Sequence, residues 1–466
     1  MKKNVPPLGA VLSLEEAIAR AIKFNAERRY RIMEEALAQG NLDVGSYDLL
    51  PKLVASAGYR ERDNDQISRS KDSVTGAPSL ANPFISSSRS AMTSDLSLSW
   101  SLLDFGQSYY AAKQNADRVL IAQERKRKAL QLLVQDVRTA YWRVVAAQSL
   151  SEVVTQGIRD AESALQDARQ IEREGLRNPL EPLRFQRQVL ENIRLLETVQ
   201  QELSTAKAEL ASLINVPLSS SIKVQAPAAE LQKAWLQQPI GNLEEHALIR
   251  NADLREGMYN SRIASLETRR ALLKLFPGLS FSYAMKQSDD SYLINQSWNE
   301  AGLQISFNLF NLLSAPAQMR LSEAGVALAD QKRLVTQMAV LSQLHIARLQ
   351  YANAIQQFER ADEIAKIESR MTEHSKNQAE AEKQSKLDRV SQSTSYVLAQ
   401  LRRYQALSNA QSAASKLQAS LGLEPVVEAP ADSSLGDLTT AVTKALAAWQ
   451  LGELPDAKQA ATATAR

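Results

Sequence analysis

Five anchors recur in the same order along this chain, and that duplication constrains the fold more than any other feature. Leu14-Glu15-Glu16 returns as Leu243-Glu244-Glu245, and Leu50-Pro51-Lys52-Leu53 returns as Phe276-Pro277-Gly278-Leu279. The stretch from Leu96 to Asp104 returns as Leu303 to Asn311, and Arg138-Thr139-Ala140-Tyr141 as Arg348-Leu349-Gln350-Tyr351. Ala211-Ser212-Leu213 before Pro217 matches Ala419-Ser420-Leu421 before Pro425. The interval from Pro51 to Trp100 exceeds that from Pro277 to Phe307, so the first copy is expected to carry a longer loop.

Each copy reads helix, strand, loop, strand, very long helix, turn, long helix. Ser13 ahead of Glu15 and Glu16 is a helix start, its hydroxyl and the first-turn carboxylates serving orphan amides. The apolar residues then keep helical spacing to about Gly40. After Pro51 the period changes to two: Leu53, Ala55, Ala57 and Tyr59 point one way, and Leu96, Leu98, Trp100 and Leu102 alternate with serines in the return strand. The second copy does the same with Leu279, Phe281, Tyr283 and Met285, then Leu303, Ile305, Phe307 and Leu309. From Gln107 to Glu174 there is no Pro and one Gly, which permits a helix about 100 Å long at about 1.5 Å per residue. Leu130, Val134, Val137, Tyr141 and Val144 repeat at coiled-coil spacing, flanked by Leu133, Ala140 and Ala147. Leu334, Leu341, Leu344, Tyr351, Ile355 and Phe358 form a less regular seam in the second copy.

Composition narrows the chemistry. With no Cys there is no disulfide, thiolate metal site or thiol nucleophile, and the three His (His246, His345, His374) are far apart. No cofactor, metal or enzyme activity is expected. The 16 Gly in 466 residues, about half the usual share, leave little room for phosphate-binding loops. A net charge of +3 gives no nucleic-acid signature, and the run Arg125-Lys126-Arg127-Lys128 is expected to be a solvated helix face. No apolar run is long enough for a membrane helix; the charge-free segment 301–319 alternates as a strand does. Lys2 and Lys3 are followed by Pro6 and Pro7, so a clear signal peptide is not expected in this chain. Asp289-Asp290 reads as a turn-forming pair, and Tyr109-Tyr110 as part of an interfacial aromatic girdle.

Four strands cannot close a barrel, which needs about eight. Either the hairpins lie in a covered open sheet, or several chains pool them; three chains would supply twelve strands, an even number suited to outer-membrane barrels. Lipid would then meet Leu98, Trp100, Leu102, Phe281, Tyr283, Ile305, Phe307 and Leu309, and water the Ser, Gln and Asn face. The competing reading is a soluble coiled-coil scaffold whose hairpins mediate assembly, and it must explain a broad apolar face left exposed.

The duplicated layout, the Leu-Leu-Pro before a strand, the Trp100-Ser-Leu-Leu-Asp-Phe-Gly106 stretch opening a long helix and Gly175-Leu176 at a helix turn resemble the TolC family of outer-membrane efflux proteins over about residues 12–425. The resemblance implies a mainly α fold with a small β part: two structural repeats, long coiled-coil helices forming an α-barrel tunnel, and two β-hairpins adding four strands to a trimeric twelve-stranded β-barrel. The expected organisation is a first repeat at 1–217 (hairpin about 52–103, tip near 175–182) and an equatorial connector at 218–242. A second repeat follows at 243–425 (hairpin about 279–310, tip near 383–390), with an equatorial tail at 426–466. A homotrimer in the outer membrane, extending into the periplasm, is implied, as exit duct of a tripartite efflux or type I secretion system. Its partners would be a periplasmic adaptor (membrane fusion protein), an inner-membrane RND, ABC or MFS transporter and outer-membrane lipid. The implied adaptor-contacting tips are Gly175, Leu176, Arg177, Asn178 and Leu180 in the first copy and Leu387 and Asp388 in the second. Candidates for the periplasmic constriction are Glu373, Glu380, Glu382 and Asp388, with Arg370 and Lys383 as bridging partners; acidic rings there would favour cations.

Overall fold

A computed structural model of the chain describes residues 5–78, 83–174, 180–218, 220, 222–226, 231, 233–380, 386–424 and 434–454. The first repeat runs α1 (Leu14–Phe24), α2 (Ala26–Tyr47), β1 (Lys52–Glu61), β2 (Ile67–Ser68), β3 (Phe84–Ile85), β4 (Ser90–Ser101), α3 (Leu102–Glu174) and α4 (Leu180–Leu213). A short α5 (Ala234–Gln237) leads into the second: α6 (Ile240–Arg250), α7 (Ala252–Leu273), β5 (Gly278–Ser288), β6 (Ser297–Ser306), α8 (Phe310–Glu380) and α9 (Lys386–Ser420). Helix α10 (Leu435–Gln450) follows. The expected mainly α fold with a small β part, in two repeats, is therefore present, and one chain supplies four strands of the expected twelve-stranded barrel. The small β2–β3 ribbon occupies the longer loop of the first copy.

The chain divides into two compact units, each drawing on both repeats: one of Met1–Glu35, Ala122–Gly257 and Arg333–Arg466, the other of Ala36–Ile121 and Met258–Lys332. In the first unit the coiled-coil seam is core. Leu130, Val134, Val137, Tyr141 and Val144 are buried, as are the flanking Leu133, Ala140 and Ala147. Of the second seam, Leu344, Tyr351, Ile355 and Phe358 are buried, whereas Leu334 is exposed. Each large apolar side chain so buried contributes about 1.5–3 kcal/mol relative to exposure. The chain segments outside the long helices are tied to this core. Leu12 forms a parallel bridge with Val224, and the buried Tyr141 hydroxyl shares its one proton between the carbonyls of Gln225 (2.6 Å) and Leu12 (3.0 Å).

The single helix expected from Ser13 to about Gly40 is two helices. Ser13 does cap α1, accepting from the Glu16 amide at 3.1 Å, but α1 stops at Phe24 because Asn25 is extended (φ −60°, ψ 137°). Asn25 then caps the next helix, its Oδ1 accepting from Arg28 N at 3.1 Å, while its Nδ2 donates to the last carbonyl of α4, Leu213 O, at 3.1 Å. Asn251 repeats the device: it breaks α6 from α7, accepts from Asp253 N at 2.9 Å and donates to Ser420 O, the end of α9, at 3.2 Å. Helices α4 and α9 both end in the left-handed region, at Asn215 (φ 55°) and Gly422 (φ 72°), with matched cap bonds Val216 N to Ala211 O and Leu423 N to Gln418 O, both 3.0 Å. These bonds set the structural equivalence of the repeats. They pair Asn25 with Asn251, so Leu14 corresponds to Ile240, one turn before the Leu243 anchor.

The basic run is more than a solvated face. Arg125 pairs with Glu256 (2.8 Å), Lys126 with Glu35 (2.5 Å), Arg127 with Glu424 (2.7 Å) and Lys128 with Asp253 (2.7 Å). All four cations are spent within the first unit.

Candidate functional site

The second unit carries a four-stranded antiparallel sheet in the order β1-β4-β5-β6, so the two hairpins are not separate: β4 pairs with β5 from Thr93–Ser288 to Ser101–Ser280. Its outer edges are β1 and β6, which among the described residues have no strand partner on their far sides. Register decides the faces, because directly paired residues share a side. Leu53, Leu98, Tyr283 and Ala301 form one row, Trp100, Phe281 and Leu303 another, and Leu279 pairs with Ile305. The opposite face carries Ser56, Asp95 and Lys286 in one row and Ser97, Ala284 and Glu300 in the next. Here Asp95 accepts from the Ser56 hydroxyl and Lys286 pairs with Glu300 at 2.6 Å. One face is thus apolar and aromatic toward its α3 end, with a polar row of Ser94, Gln287 and Ser297 further along, and the other is serine-rich and charged, with Val54 and Trp298 as exceptions. Within the chain the apolar face is uncovered: Leu303 and Ile305 are 72% and 71% exposed.

Three residues expected on strands lie beyond them. Ser101 ends β4 and its hydroxyl accepts from Asp104 N at 3.2 Å, so Leu102 is the first residue of α3. Phe307 and Leu309 follow the last residue of β6, and Asn308 Oδ1 accepts from Phe310 N at 3.1 Å to open α8. The alternation misleads because Ser101 and Asn308 fit the polar phase of a strand and also act as helix caps. The Trp100 to Gly106 motif gains a physical reading: Trp100 packs edge-on against Phe105 (centroids 5.7 Å), and a Cβ at Gly106 would stand 2.9 Å from Leu273 Cδ1 of α7. Lys113 lies over the Tyr109 ring at 4.5 Å, one turn further along α3.

The turn beside β5 behaves as the sequence predicts. Asp290 Oδ1 accepts from Ser88 N (3.0 Å), the Ser88 hydroxyl (2.8 Å) and Tyr292 N (3.1 Å). These bonds hold its carboxyl below the usual aspartate range and tie the β5–β6 turn to the β1–β4 loop.

Two helix faces were not singled out from the sequence although their spacing is legible. On α2, Tyr30, Met33, Leu37, Val44 and Tyr47 are exposed at coiled-coil spacing, with Gly40 at the intervening position. On α8, Leu321, Leu328, Val335 and Leu349 are exposed in heptad register. Helix α2 leads into β1 and α8 follows β6 in the chain.

Helix α3 ends at Glu174 and α4 begins at Leu180, which is exposed; Gly175, Leu176, Arg177 and Asn178 lie outside the described residues. In the second copy α8 ends at Glu380 and α9 begins at Lys386, so Leu387 and Asp388 belong to the first turn of α9 rather than to the turn itself. Glu382 and Lys383 lie outside the described residues, and Glu380, Leu387 and Asp388 are described by backbone alone. Arg370 and Glu373 are exposed on α8. Among the described residues there is no group of His, Asp and Glu able to hold a metal ion and no helix long and apolar enough to cross a membrane.

Residues 25–216 match the family model described as outer membrane efflux protein. No curated protein matches the chain. Among solved structures the chain is similar to the Campylobacter jejuni CmeC outer membrane channel, at a TM-score of 0.68 and 13% identity over 93% of this chain and 89% of that one. The open state of the Neisseria gonorrhoeae MtrE outer membrane channel matches at 0.64 and 14% over 91% and 94%. The outer membrane protein VceC of Vibrio cholerae matches at 0.62 and 15% over 88% and 96%. At these identities the likeness is one of fold.

Proposed function

We propose that this chain is a TolC-family outer-membrane efflux protein and one third of a homotrimeric exit duct, a reading that its matched region and its fold support. The observation that carries this is the sheet: four strands, two free edges, one uncovered apolar face and one polar face. Joining β6 of one protomer to β1 of the next three times gives a closed twelve-stranded barrel with no edge left. Two copies would give eight strands, a barrel whose interior side chains fill. The exposed rows on α2 and α8 support the same joint, since closing the sheet brings α8 of one protomer beside α2 of the next.

In this reading Leu98, Trp100, Phe281, Tyr283 and Ile305 face outer-membrane lipid, and the serine-rich face with Asp95, Lys286 and Glu300 lines the water-filled lumen. Trp100, Phe105 and Tyr109 with Lys113 sit at the interface between lipid and water. The duct conducts passively: the sequence has no nucleotide-binding loop, and energy comes from an inner-membrane RND, ABC or MFS pump through a periplasmic adaptor. The residues proposed to meet the adaptor are Gly175, Leu176, Arg177, Asn178 and Leu180 in the first copy and Leu387 and Asp388 in the second. Arg370, Glu373, Glu380, Glu382, Lys383 and Asp388 are the duct's candidates for the periplasmic constriction, where acidic rings would favour cations. A soluble coiled-coil scaffold has no use for the uncovered apolar sheet.

The test is fractionation with cross-linking. Because the chain has no Cys, paired substitutions on the edges, Leu53→Cys and Ile305→Cys, create the only thiols. The reading expects the double variant in the outer-membrane fraction, cross-linking into dimers and trimers while each single variant yields no such ladder. Recovery as a soluble monomer without detergent refutes it.

A further inference from the structure

The place where the end of a long helix pair meets a broken helix occurs once per repeat, and the two versions differ in charge. In the first, Asn25 and Leu213 line a cavity of about 480 Å³ with Arg28, Arg31 and Arg125. Its guanidiniums are largely matched from within the chain: Arg31 pairs with Glu27 (3.0 Å) and Glu34 (2.9 Å), and Arg125 with Glu256 (2.8 Å). In the second, Asn251 and Ser420 line a cavity of about 400 Å³ whose other polar walls are Gln131 and Gln135 of α3, Gln343 and Gln350 of α8, Lys128 and Lys416. Among the described residues Asp253 is the one carboxylate lining it, and Lys128 holds it at 2.7 Å. Lys416 has no ion-pair partner among the described residues.

Two further observations point to a missing acceptor. Gln131 is 7% exposed, lines the cavity, and its Nε2 has no hydrogen-bond partner; a buried donor left unmade is costly unless something fills its place. Two turns along the same stripe of α3, Arg138 is buried with only glutamine amides as hydrogen-bond partners, Gln411 at 2.6 Å and Gln418 at 2.9 Å. Burial pushes its guanidinium down to about 10, so at neutral pH it keeps a positive charge without a carboxylate to answer it. Among the described residues two lysines and one carboxylate line this cavity, whereas its counterpart in the first repeat is lined by Glu27, Asp136, Asp253 and Glu256.

We propose that the cavity between α3, α7, α8 and α9 binds a small oxyanion, the carboxylate or phosphate group of a solute, with Gln131 Nε2 donating to it and Lys416 supplying the countercharge. The site is independent of conduction, and its failure leaves the duct reading untouched.

The test uses the full-length protein in detergent at constant ionic strength, with chloride exchanged for inorganic phosphate in one arm and acetate in the other. The proposal expects a saturable rise in melting temperature in at least one arm, the better arm naming the oxyanion class. Lys416→Met, at an exposed position, should raise the half-saturating concentration by about five-fold or more, the scale of one lost charge-assisted hydrogen bond. Lys444→Met on α10 should leave it unchanged. Crystals soaked in selenate should show an anomalous peak between Gln131 and Lys416. A rise that does not saturate, or one equal in Lys416→Met and the parent, overturns the proposal. So does a cavity occupied by ordered water alone in selenate.

Discussion

Single residues hold the two repeats in register, and their roles can be tested one at a time. Gly422 sits at φ 72°, and a Cβ there would lie 2.5 Å from Arg250 O. Gly422→Ala therefore meets both backbone strain and a clash with main chain, and should cost at least about 1–3 kcal/mol, seen as a lower melting temperature. Its counterpart Asn215 already bears a side chain at φ 55°, so Asn215→Gly should be neutral or raise stability by up to about 1 kcal/mol. Asn25→Ala and Asn251→Ala each remove a helix cap and should each cost about 1 kcal/mol or more. These asparagines were not legible as breaks, because Asn inside an apolar-periodic run is only mildly unfavourable to helix. What makes them breaks is the carbonyl of Leu213 or Ser420, some 170 to 190 residues away in sequence. Asp290 adds a dependence on pH. Its folded value lies below the ordinary one near 3.8, so the tether to Ser88 contributes fully above that ordinary value and is lost as pH falls through the depressed one. Protease cutting at the β5–β6 turn should thus be constant from pH 8 to 5, and should rise at neutral pH in Asp290→Ala.

At the scale of elements, the strands and long helices were readable because their periods are clean. Alternation of two gave β1, β4, β5 and β6, and the seam from Leu130 to Val144 gave the buried stripe of α3. The ends were not readable where one residue serves two patterns: Ser101 and Asn308 continue a strand's polar phase and also start a helix, which displaced Leu102, Phe307 and Leu309 from the sheet. The join between β4 and β5 was also hidden, since pairing partners about 190 residues apart leave no local mark. The exposed rows on α2 and α8 make a prediction of their own. Leu37→Glu or Leu328→Glu places a charge where the proposed joint buries an apolar side chain, at a cost of a few kcal/mol per contact in three copies. Each should shift the detergent-solubilised protein from trimer toward monomer in native mass spectrometry, whereas Lys444→Met should not.

For the whole molecule, the duplicated order of motifs was enough to read the helix–hairpin–helix-pair layout of each repeat, and the resemblance to the TolC family carried that layout to the fold. The cavity lined by Gln131 and Lys416 was not legible, since it depends on how α3, α7, α8 and α9 meet. The central claim is that three copies enclose a water-filled path through the outer membrane. Conductance across a planar bilayer tests it most directly, with purified trimer compared with a Leu53→Cys, Ile305→Cys trimer sealed by oxidation. Discrete current steps are predicted in both, retained after the edges are covalently joined and altered in cation preference by Glu373→Ala with Glu380→Ala. Protein that inserts as a cross-linked trimer yet gives no steps under any voltage or salt would contradict the account.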